Sequence, residues 1–233
     1  MRVLFCLFLA LATSGCVSPY VAIPYESDQV DVRSIAVIED VGDVDVMAYE
    51  VANVGANFGL VGALVDAGVQ ASRRQRVEDV FEDAGFDAQG YFRDSLVEEL
   101  LGLGYEVTVV DLASRDEETL LEAIPPAPAE SDAVLDVVLQ NYGFISAGMG
   151  VPFRPHAQAE AQLTLRDGQT VAMRHSVQYA PMGSPEGHIV LSPDPLYAFN
   201  NRTELLADPE RLISGVKLAL DESAEALARQ IAP

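Results

Sequence analysis

Tryptophan is absent from this chain, and cysteine and histidine are rare, with two and three residues. Two cysteines cannot build a disulfide framework, and so few sulfur and imidazole ligands leave little material for a zinc site or a histidine-centred catalytic apparatus. Basic residues are also scarce: 14 Lys+Arg stand against 36 Asp+Glu, a formal net charge of -22. This charge repels polyanions. We therefore expect no cofactor, no metal and no nucleic-acid partner.

The chain does contain enough apolar sequence for a folded core. Hydrophobic residues make up 49% of its 233 residues and charged residues 21%, which is typical of globular proteins rather than disordered ones. This length fits one domain or two small ones. The order of the elements described below favours a single α/β domain over residues 33–233.

The N-terminus has the pattern of an export signal. Met1 and Arg2 precede an apolar run from Val3 to Ala12, which has the length of a signal-peptide core and is too short to span a bilayer. The segment Ala12-Thr13-Ser14-Gly15-Cys16 then resembles the lipobox of bacterial lipoproteins. The resemblance implies that residues 1–15 are removed and that Cys16 is diacylated, which anchors the chain to a membrane. The alternatives are plain secretion and a retained anchor.

The residues after Cys16 predict the location of the anchor and its link to the domain. Val17, in place of Asp, resembles the outer-membrane sorting signal of enterobacterial lipoproteins, and so implies an outer-membrane lipoprotein that faces the periplasm. Residues 17–32 contain two prolines and no helical or strand period. We therefore expect residues 16–32 to form a lipid-anchored tether without regular structure.

The first half of the body alternates strand and helix patterns. Ser34 to Glu39 is an apolar, β-branched run typical of a buried central strand. Gln89 to Leu103 repeats apolar residues at helical spacing, and Tyr105 to Asp111 is a second strand pattern. The segment Ser114-Arg115-Asp116-Glu117 looks like a capping box, which predicts a short helix that stops before a proline pair.

The second half predicts three strands and a helix. Ala133 to Phe144 is a long apolar strand, and Ala157 to Arg166 alternates apolar with polar residues, so that one of its faces is solvated. Asp167-Gly168 predicts a type I′ hairpin turn into Thr170 to Tyr179. An apolar stripe predicts a C-terminal helix that begins at Asp208. The residues of the solvated face are Gln158, Glu160, Gln162 and Thr164.

Together these elements predict an α/β (α+β) fold, a mixed β-sheet of order β-α-β-α-β-β-β-α with helices packed on it. This order, with the runs SIAVIE, LVEELLGLGYEVTVVD, DAVLDVVLQNYG and LTLRDGQTV, resembles bacterial outer-membrane lipoproteins that contain a domain like the N-terminal domain of TolB. Such relatives include the activators of penicillin-binding proteins and the curli-secretion lipoprotein. The resemblance implies a domain that binds partners or assembles, without catalytic residues.

Residues 41–87 exceed the usual length of a strand-to-helix connection, so we expect a Gly/Ala-rich helical insert there. Gly55, Gly59 and Ala63 begin a ladder of small residues at every fourth position. Such a ladder favours close helix packing, inside the protein, against a partner or in a homo-oligomer. A membrane-inserting hairpin over residues 51–69 is the alternative. The basic cluster that follows predicts an Arg74 to Glu78 pair on a solvated helix, or else contact with anionic lipid.

The connection from Gly143 to Pro155 is unusually apolar for a loop. Two interpretations are open: the loop packs over the sheet edge, or it forms an exposed patch that binds a partner. Together with the ladder of small residues, it is our predicted interaction surface. Its candidate partner-binding residues are Phe144, Ile145, Met149 and Phe153.

Carboxylates and histidines give weaker signals. Glu39, Asp40, Asp43 and Asp45 follow the first strand, at the end where open α/β sheets bind ligands, but they lack the glycine and bidentate glutamate of a calcium loop. The three histidines lack metal-ligand spacing. The sequence therefore favours a non-catalytic envelope adaptor or assembly factor with an unknown protein partner. The alternatives are an oligomeric membrane-associated assembly and an enzyme that uses carboxylates such as Asp40 and Asp43.

Overall fold

The computed structural model describes residues 20–44, 46–50, 74–115, 118–181 and 186–233. Its strands are β1 (Ser34–Ile38), β2 (Val46–Glu50), β3 (Glu106–Val110), β4 (Ala133–Ser146), β5 (Arg154–Leu165), β6 (Val171–Tyr179) and β7 (Ile189–Leu191). Its helices are α1, described over residues 74–84, α2 (Ala88–Gly102), α3 (Arg202–Ala207) and α4 (Pro209–Ala228). Helices packed on a mixed sheet confirm the predicted fold class.

The described strands form one sheet of seven, in the order β3-β1-β4-β5-β6-β7, with β2 paired to β4 beside this path. β1 lies parallel to both β3 and β4, as predicted for a central strand. Strands β4, β5 and β6 are antiparallel, and β7 is parallel to β6. The sheet therefore has a parallel first part and an antiparallel second part, as the sequence predicts.

One face of the sheet carries the core. Its residues on β5, from Ala157 to Leu163 at every second position, are at most 1% exposed, which confirms the predicted alternation. Helices α2 and α4 pack on this face and on each other, with Tyr91 and Ser95 of α2 donating to the carboxylate of Asp221 on α4. Their predicted apolar stripes are buried: Phe92, Leu96 and Leu100 on α2, and Leu212, Val216, Leu220 and Leu227 on α4.

The prediction of a helical insert over residues 41–87 is wrong for its first part, because residues 46–50 form β2. This strand runs along Tyr142–Ser146 of β4, on the same edge that β1 occupies nearer the start of β4. Gly42, with a φ of +94°, lets the chain step between β1 and β2, and its N–H donates to Asp40. Alternate burial of Val44, Val46 and Ala48 fits a strand rather than a helix.

The predicted helix after Ser114 is absent from the described residues 111–115 and 118–132, which have no helical turn. Tertiary hydrogen bonds hold this segment instead. The backbone N–H of Arg115 donates to the Asp40 carboxylate at 2.8 Å, and the N–H of Leu121 donates to the Asp136 carboxylate at 2.7 Å. These bonds fix an irregular path over the sheet and compete with the helical ladder.

The predicted tether is also corrected over its described part, residues 20–32. Ile23 forms a two-way backbone bridge with Arg174, at 2.9 Å in each direction, on the stretch of the β6 edge that β7 does not cover. The Tyr20 ring stacks on His188 with a centroid distance of 4.6 Å. Val32 is buried. This segment therefore covers an exposed strand edge, which otherwise invites edge-to-edge pairing.

The hairpin predicted at Asp167-Gly168 is confirmed, but its turn type is different. Gly168 has a φ of +69°, whereas no other residue type among those described has a positive φ. A type I′ turn needs positive φ at both central positions. The loop instead has four residues between Leu165 and Thr170, which are joined by a backbone hydrogen bond of 2.8 Å. The Asp167 carboxylate accepts from the N–H groups of Gln169 and Thr170 and closes the turn.

Candidate functional site

The apolar connection between β4 and β5 packs inward at its base. Phe144, Ile145 and Phe153 are 0%, 2% and 2% exposed, so they cannot form the predicted partner-binding patch in this conformation. Phe144 meets Phe199 edge-on at 5.4 Å, and Phe153 pairs with Phe199 through two backbone hydrogen bonds. Phe144 ends the predicted strand, which continues through Ile145 to Ser146, and Phe153 forms an isolated bridge just before β5. These residues anchor the hairpin in the core beside α4.

The tip of the same hairpin does present apolar side chains to solvent. Met149 is 74% exposed and Val151 39%. The buried Ser146 hydroxyl lies 2.7 Å from the Val151 carbonyl, and the Val151 N–H donates to Gly148 at 3.0 Å. Gly150 takes the positive φ of +77° that the third position of a type II turn requires. Of the four predicted contact residues, only Met149 lies on the surface, on a hydrogen-bonded turn.

The polar face of β5 forms the floor of a cavity of about 530 Å³. The sequence predicts that this face is solvated, but Gln162 is 5% and Thr164 1% exposed. Residues 119–124, which are fixed by the bond from Leu121 to Asp136, cover it from one side. Glu160 and Arg174 lie in the same cavity. A charged pair of opposite sign is therefore partly enclosed beneath an irregular segment.

Glu160 is the end of a line of side-chain hydrogen bonds. The His156 ring contacts Asn141, whose amide donates to Gln158 at 3.2 Å. Gln158 in turn donates to Gln140 at 2.8 Å, and Gln140 donates to one oxygen of Glu160 at 3.5 Å. The last bond is long, and among the described residues Glu160 has no other hydrogen bond. Its carboxylate is thus held in place while most of its acceptor capacity faces the cavity.

Burial raises the pKa of the Glu160 carboxyl, with the neighbouring Arg174 acting against this shift and Asp136 adding to it. On β6, Arg174 directs one edge of its guanidinium at Gln162, and its Nε donates to the amide oxygen at 2.8 Å. Near both charges, the buried hydroxyl of Tyr20 has no hydrogen-bond partner in the described structure. Burial raises the pKa of Tyr20 to about 12, and the charge of Glu160 contributes. Within the cavity, Glu160 and Arg174 therefore keep hydrogen-bonding capacity that the described residues do not use.

The acidic turn after β1 has a structural role, because Asp40 hydrogen-bonds to other parts of the chain. Asp40 accepts from Gly42 and from the backbone of Arg115. The Arg115 guanidinium, whose side chain is 4% exposed, also reaches the fully buried Asp136 at 2.7 Å. These contacts occupy Asp40, which the sequence offers as an enzyme carboxylate. Within the described ranges, no three His, Cys, Asp or Glu side chains are grouped so as to hold a metal ion.

The remaining predicted site residues lie outside the described residues: Cys16, Gly55, Gly59 and Ala63. Beside them, the predicted Arg74 to Glu78 pair is confirmed at 3.2 Å. None of the described helices combines the length and the apolar character needed to cross a bilayer. The ladder and the lipidation of Cys16 therefore stay predictions.

Arg174 and Tyr20 are missed by the sequence analysis. Regular pairing outward from the turn at Gly168 would place Gln162 opposite Met173, but a register shift between Leu163 and Thr164 places Gln162 opposite Arg174 and Glu160 opposite Ser176. Glu160 and Arg174 are therefore diagonal neighbours on one face. Neither position could be read from the sequence, because one depends on this register shift and the other on an isolated bridge at the sheet edge.

No protein-family model matches the chain, and neither a curated protein nor a solved structure matches it. The resemblance to lipoproteins with a TolB-like domain therefore stays a prediction from the sequence, alongside a confirmed α/β fold.

Proposed function

We propose that the chain is a lipid-anchored protein of the bacterial cell envelope, which faces the periplasm from the outer membrane and acts as a non-catalytic adaptor or assembly factor. It works by binding a protein partner. The observation that carries the proposal is the β4–β5 hairpin, whose base is buried while its tip exposes Met149 and Val151. The anchor at Cys16 is inferred from the signal-like N-terminus and the lipobox resemblance.

The hairpin tip has two properties that favour recognition of a protein. It is pre-organised, because Ser146 and Gly148 hydrogen-bond within the turn, so that little conformational entropy is lost on binding. Its methionine is an unbranched, polarisable side chain that adapts to the shape of a partner surface. With a net charge of -22 on the chain, the complementary partner surface is basic, and association is expected to weaken as salt rises.

Site-specific photo-crosslinking in intact cells tests the proposal. A benzophenone amino acid replaces Met149 in one variant and Val190 in another, because Val190 is also an exposed apolar residue, at 49%, but lies on β7 away from the tip. We expect a discrete crosslinked protein from position 149 and none from position 190. The adduct should disappear in a Cys16→Ser variant that is not lipidated, because that variant leaves the membrane.

The mass of the adduct separates the competing functions. An adduct with a different protein supports the adaptor, whereas an adduct of twice the chain mass favours an oligomeric assembly instead. Equal labelling at both positions, or none at position 149, contradicts a binding role for the tip. Intact mass spectrometry of the membrane fraction tests the anchor directly: a mature chain that begins at Thr13, without acyl groups, would overturn it.

A further inference from the structure

We propose that the cavity over β5 and β6 is a binding site for a small zwitterion, a molecule whose ammonium and carboxylate groups lie a few ångströms apart, as in a free α-amino acid. The site is distinct from the hairpin tip and does not depend on the adaptor role. Its two recognition groups are the carboxylate of Glu160 and the guanidinium of Arg174.

Glu160 supplies the acceptor for the ammonium group. Its carboxylate is partly buried and receives only one long hydrogen bond, from Gln140 at 3.5 Å. An ammonium group carries three donors and no acceptor, so it can satisfy the remaining lone pairs with charge-assisted bonds. The chain of amides from Asn141 through Gln158 to Gln140 keeps Glu160 in position. A bound cation would also offset the desolvation that raises the pKa of this carboxyl.

Arg174 supplies the donors for the carboxylate group. Gln162 accepts from Nε and Nη2 of Arg174 and fixes the plane of the guanidinium. Gln162 is itself held by donating to Thr164 at 3.2 Å. The other edge of the guanidinium has no hydrogen bond among the described residues. A guanidinium oriented in this way binds a carboxylate through two parallel N–H donors.

The spacing of the two charges selects a ligand that carries both. Arg174 donates to Gln162 rather than to Glu160, and the two charged residues are diagonal neighbours on adjacent strands. Side chains at such positions are separated by about 7–8 Å at the backbone, which leaves room for a small molecule between their charged ends. A simple amine is repelled by Arg174, and a simple anion is repelled by Glu160 and by Glu122 on the cavity wall.

The cavity size and walls agree with a ligand of this class. A volume of about 530 Å³ is within the range of about 300–1,000 Å³ that small-molecule sites occupy. Leu120, Leu121 and Val171 also line the cavity and provide apolar contacts for an aliphatic side chain.

Isothermal titration calorimetry on the full chain in mild detergent tests the proposal at neutral pH. The probes are L-alanine and L-leucine, together with their half-molecules ethylamine and propionate, at up to about 10 mM, which detects dissociation constants of about 1 mM. We expect at least one amino acid to bind at least about tenfold more tightly than either half-molecule, because each charged hydrogen bond contributes about tenfold or more.

Variants assign the binding to the two charges. Glu160→Gln and Arg174→Gln should each weaken amino-acid binding at least about tenfold, whereas Glu222→Gln, which alters a partly buried carboxyl on α4, should leave it unchanged. Thermal melts accompany each titration, and Glu160→Asp or Arg174→Lys replaces a variant that fails to fold. The proposal is overturned if no amino acid binds, if a half-molecule binds equally well, or if both charge variants bind like wild type.

Discussion

Removing the carboxylate of Asp136 should detach the described residues 111–115 and 118–124 from the sheet. Asp136 is fully buried on β4, and the side chain of its partner Arg115 is 4% exposed, with 2.7 Å between them. The other oxygen of Asp136 accepts from Leu121 at 2.7 Å. An Asp136→Ala variant leaves the buried guanidinium with the partly exposed carboxylate of Asp40, 3.6 Å from Nε, and breaking a buried pair costs about 3–5 kcal/mol. For a domain of this size the melting temperature should fall by about 6–20 °C.

Differential scanning calorimetry measures this loss, with Asp31→Ala as the matched control. Asp31 also pairs with an arginine at 2.8 Å, but the two side chains are 73% and 79% exposed, so this variant should stay within about 0.5 kcal/mol of wild type. The double variant Arg115→Met with Asp136→Leu should regain much of the stability, because it removes both charges. An Asp136→Ala protein that melts within about 3 °C of wild type would refute the anchoring role.

Three further variants test the fold and its pH dependence. Burial lowers the pKa of His156 to about 4, so the unfolded chain takes up a proton first, and the free energy of unfolding should fall by about 3 kcal/mol between pH 7 and pH 4. Urea titrations should show a smaller loss for His156→Gln, and equal losses would contradict burial of a neutral imidazole. Gly143 has a φ of +130°, and an added Cβ would overlap the Met47 carbonyl, so Gly143→Ala should lose about 3 kcal/mol or more in chemical denaturation. Ile23→Pro removes the N–H that donates to the Arg174 carbonyl at 2.9 Å. In thermal melts it should be about 1 kcal/mol less stable than Ile23→Ala. If the two variants melt identically, the prediction of a tether without regular structure would stand after all.

The elements that the sequence predicts well are those whose burial is set by their own periodicity. Helix α2 carries Phe92, Leu96 and Leu100 on one face, and α4 carries a longer stripe of the same kind. Each stripe has only one way to face the sheet, because a helix with the opposite face inward would bury its charges. The long strands β4 and β5 are predictable for a similar reason, since β4 is a nearly continuous apolar run and the apolar residues of β5 alternate.

The elements that the sequence misses are decided by contacts with distant residues. β2 has five residues and follows an acidic turn, and its pairing depends on Gly143 of β4, where the absence of a side chain lets Met47 approach. The helix predicted at Ser114 is absent from the described residues because this segment hydrogen-bonds to Asp40 and Asp136 instead. Asp40 and Asp136 lie 74 and 22 positions away from Ser114 in the sequence. Helix and strand propensities depend on neighbouring residues only, so they carry no information about either contact.

The same distinction between local patterns and distant contacts applies to the candidate sites. The exposed Met149 follows from the glycines around it, because a turn with Gly150 at positive φ must lie at a hairpin end. The burial of Phe144 and Phe153 is one of the two interpretations that the sequence leaves open, and it depends on packing against the distant Phe199. The cavity is harder still to predict from the sequence. The face of β5 that is predicted to be solvated becomes enclosed only because residues 119–124 cross it in the folded structure.

The packed N-terminal segment changes what a lipid at Cys16 would do. An unstructured tether up to residue 32 would let the domain drift from the membrane, but the chain is already fixed to the sheet at Tyr20 and Ile23. Four residue steps, at most about 14 Å, then separate the anchor from the domain, so the edge at β6 and the adjacent cavity would face the membrane. The segment runs antiparallel to β6, so Tyr20 lies nearer to the hairpin than the Ile23 bridge does. The Tyr20 ring stacks on His188, which contacts Ser176, and Ser176 lies opposite Glu160, six residues along β5 from its start at the hairpin. At about 3.3 Å per residue, Glu160 is about 20 Å from the base of the hairpin, and Met149 extends beyond it. A lipid at Cys16 would therefore attach beside β6, and the length of β5 between Glu160 and the hairpin would separate this attachment point from the exposed tip.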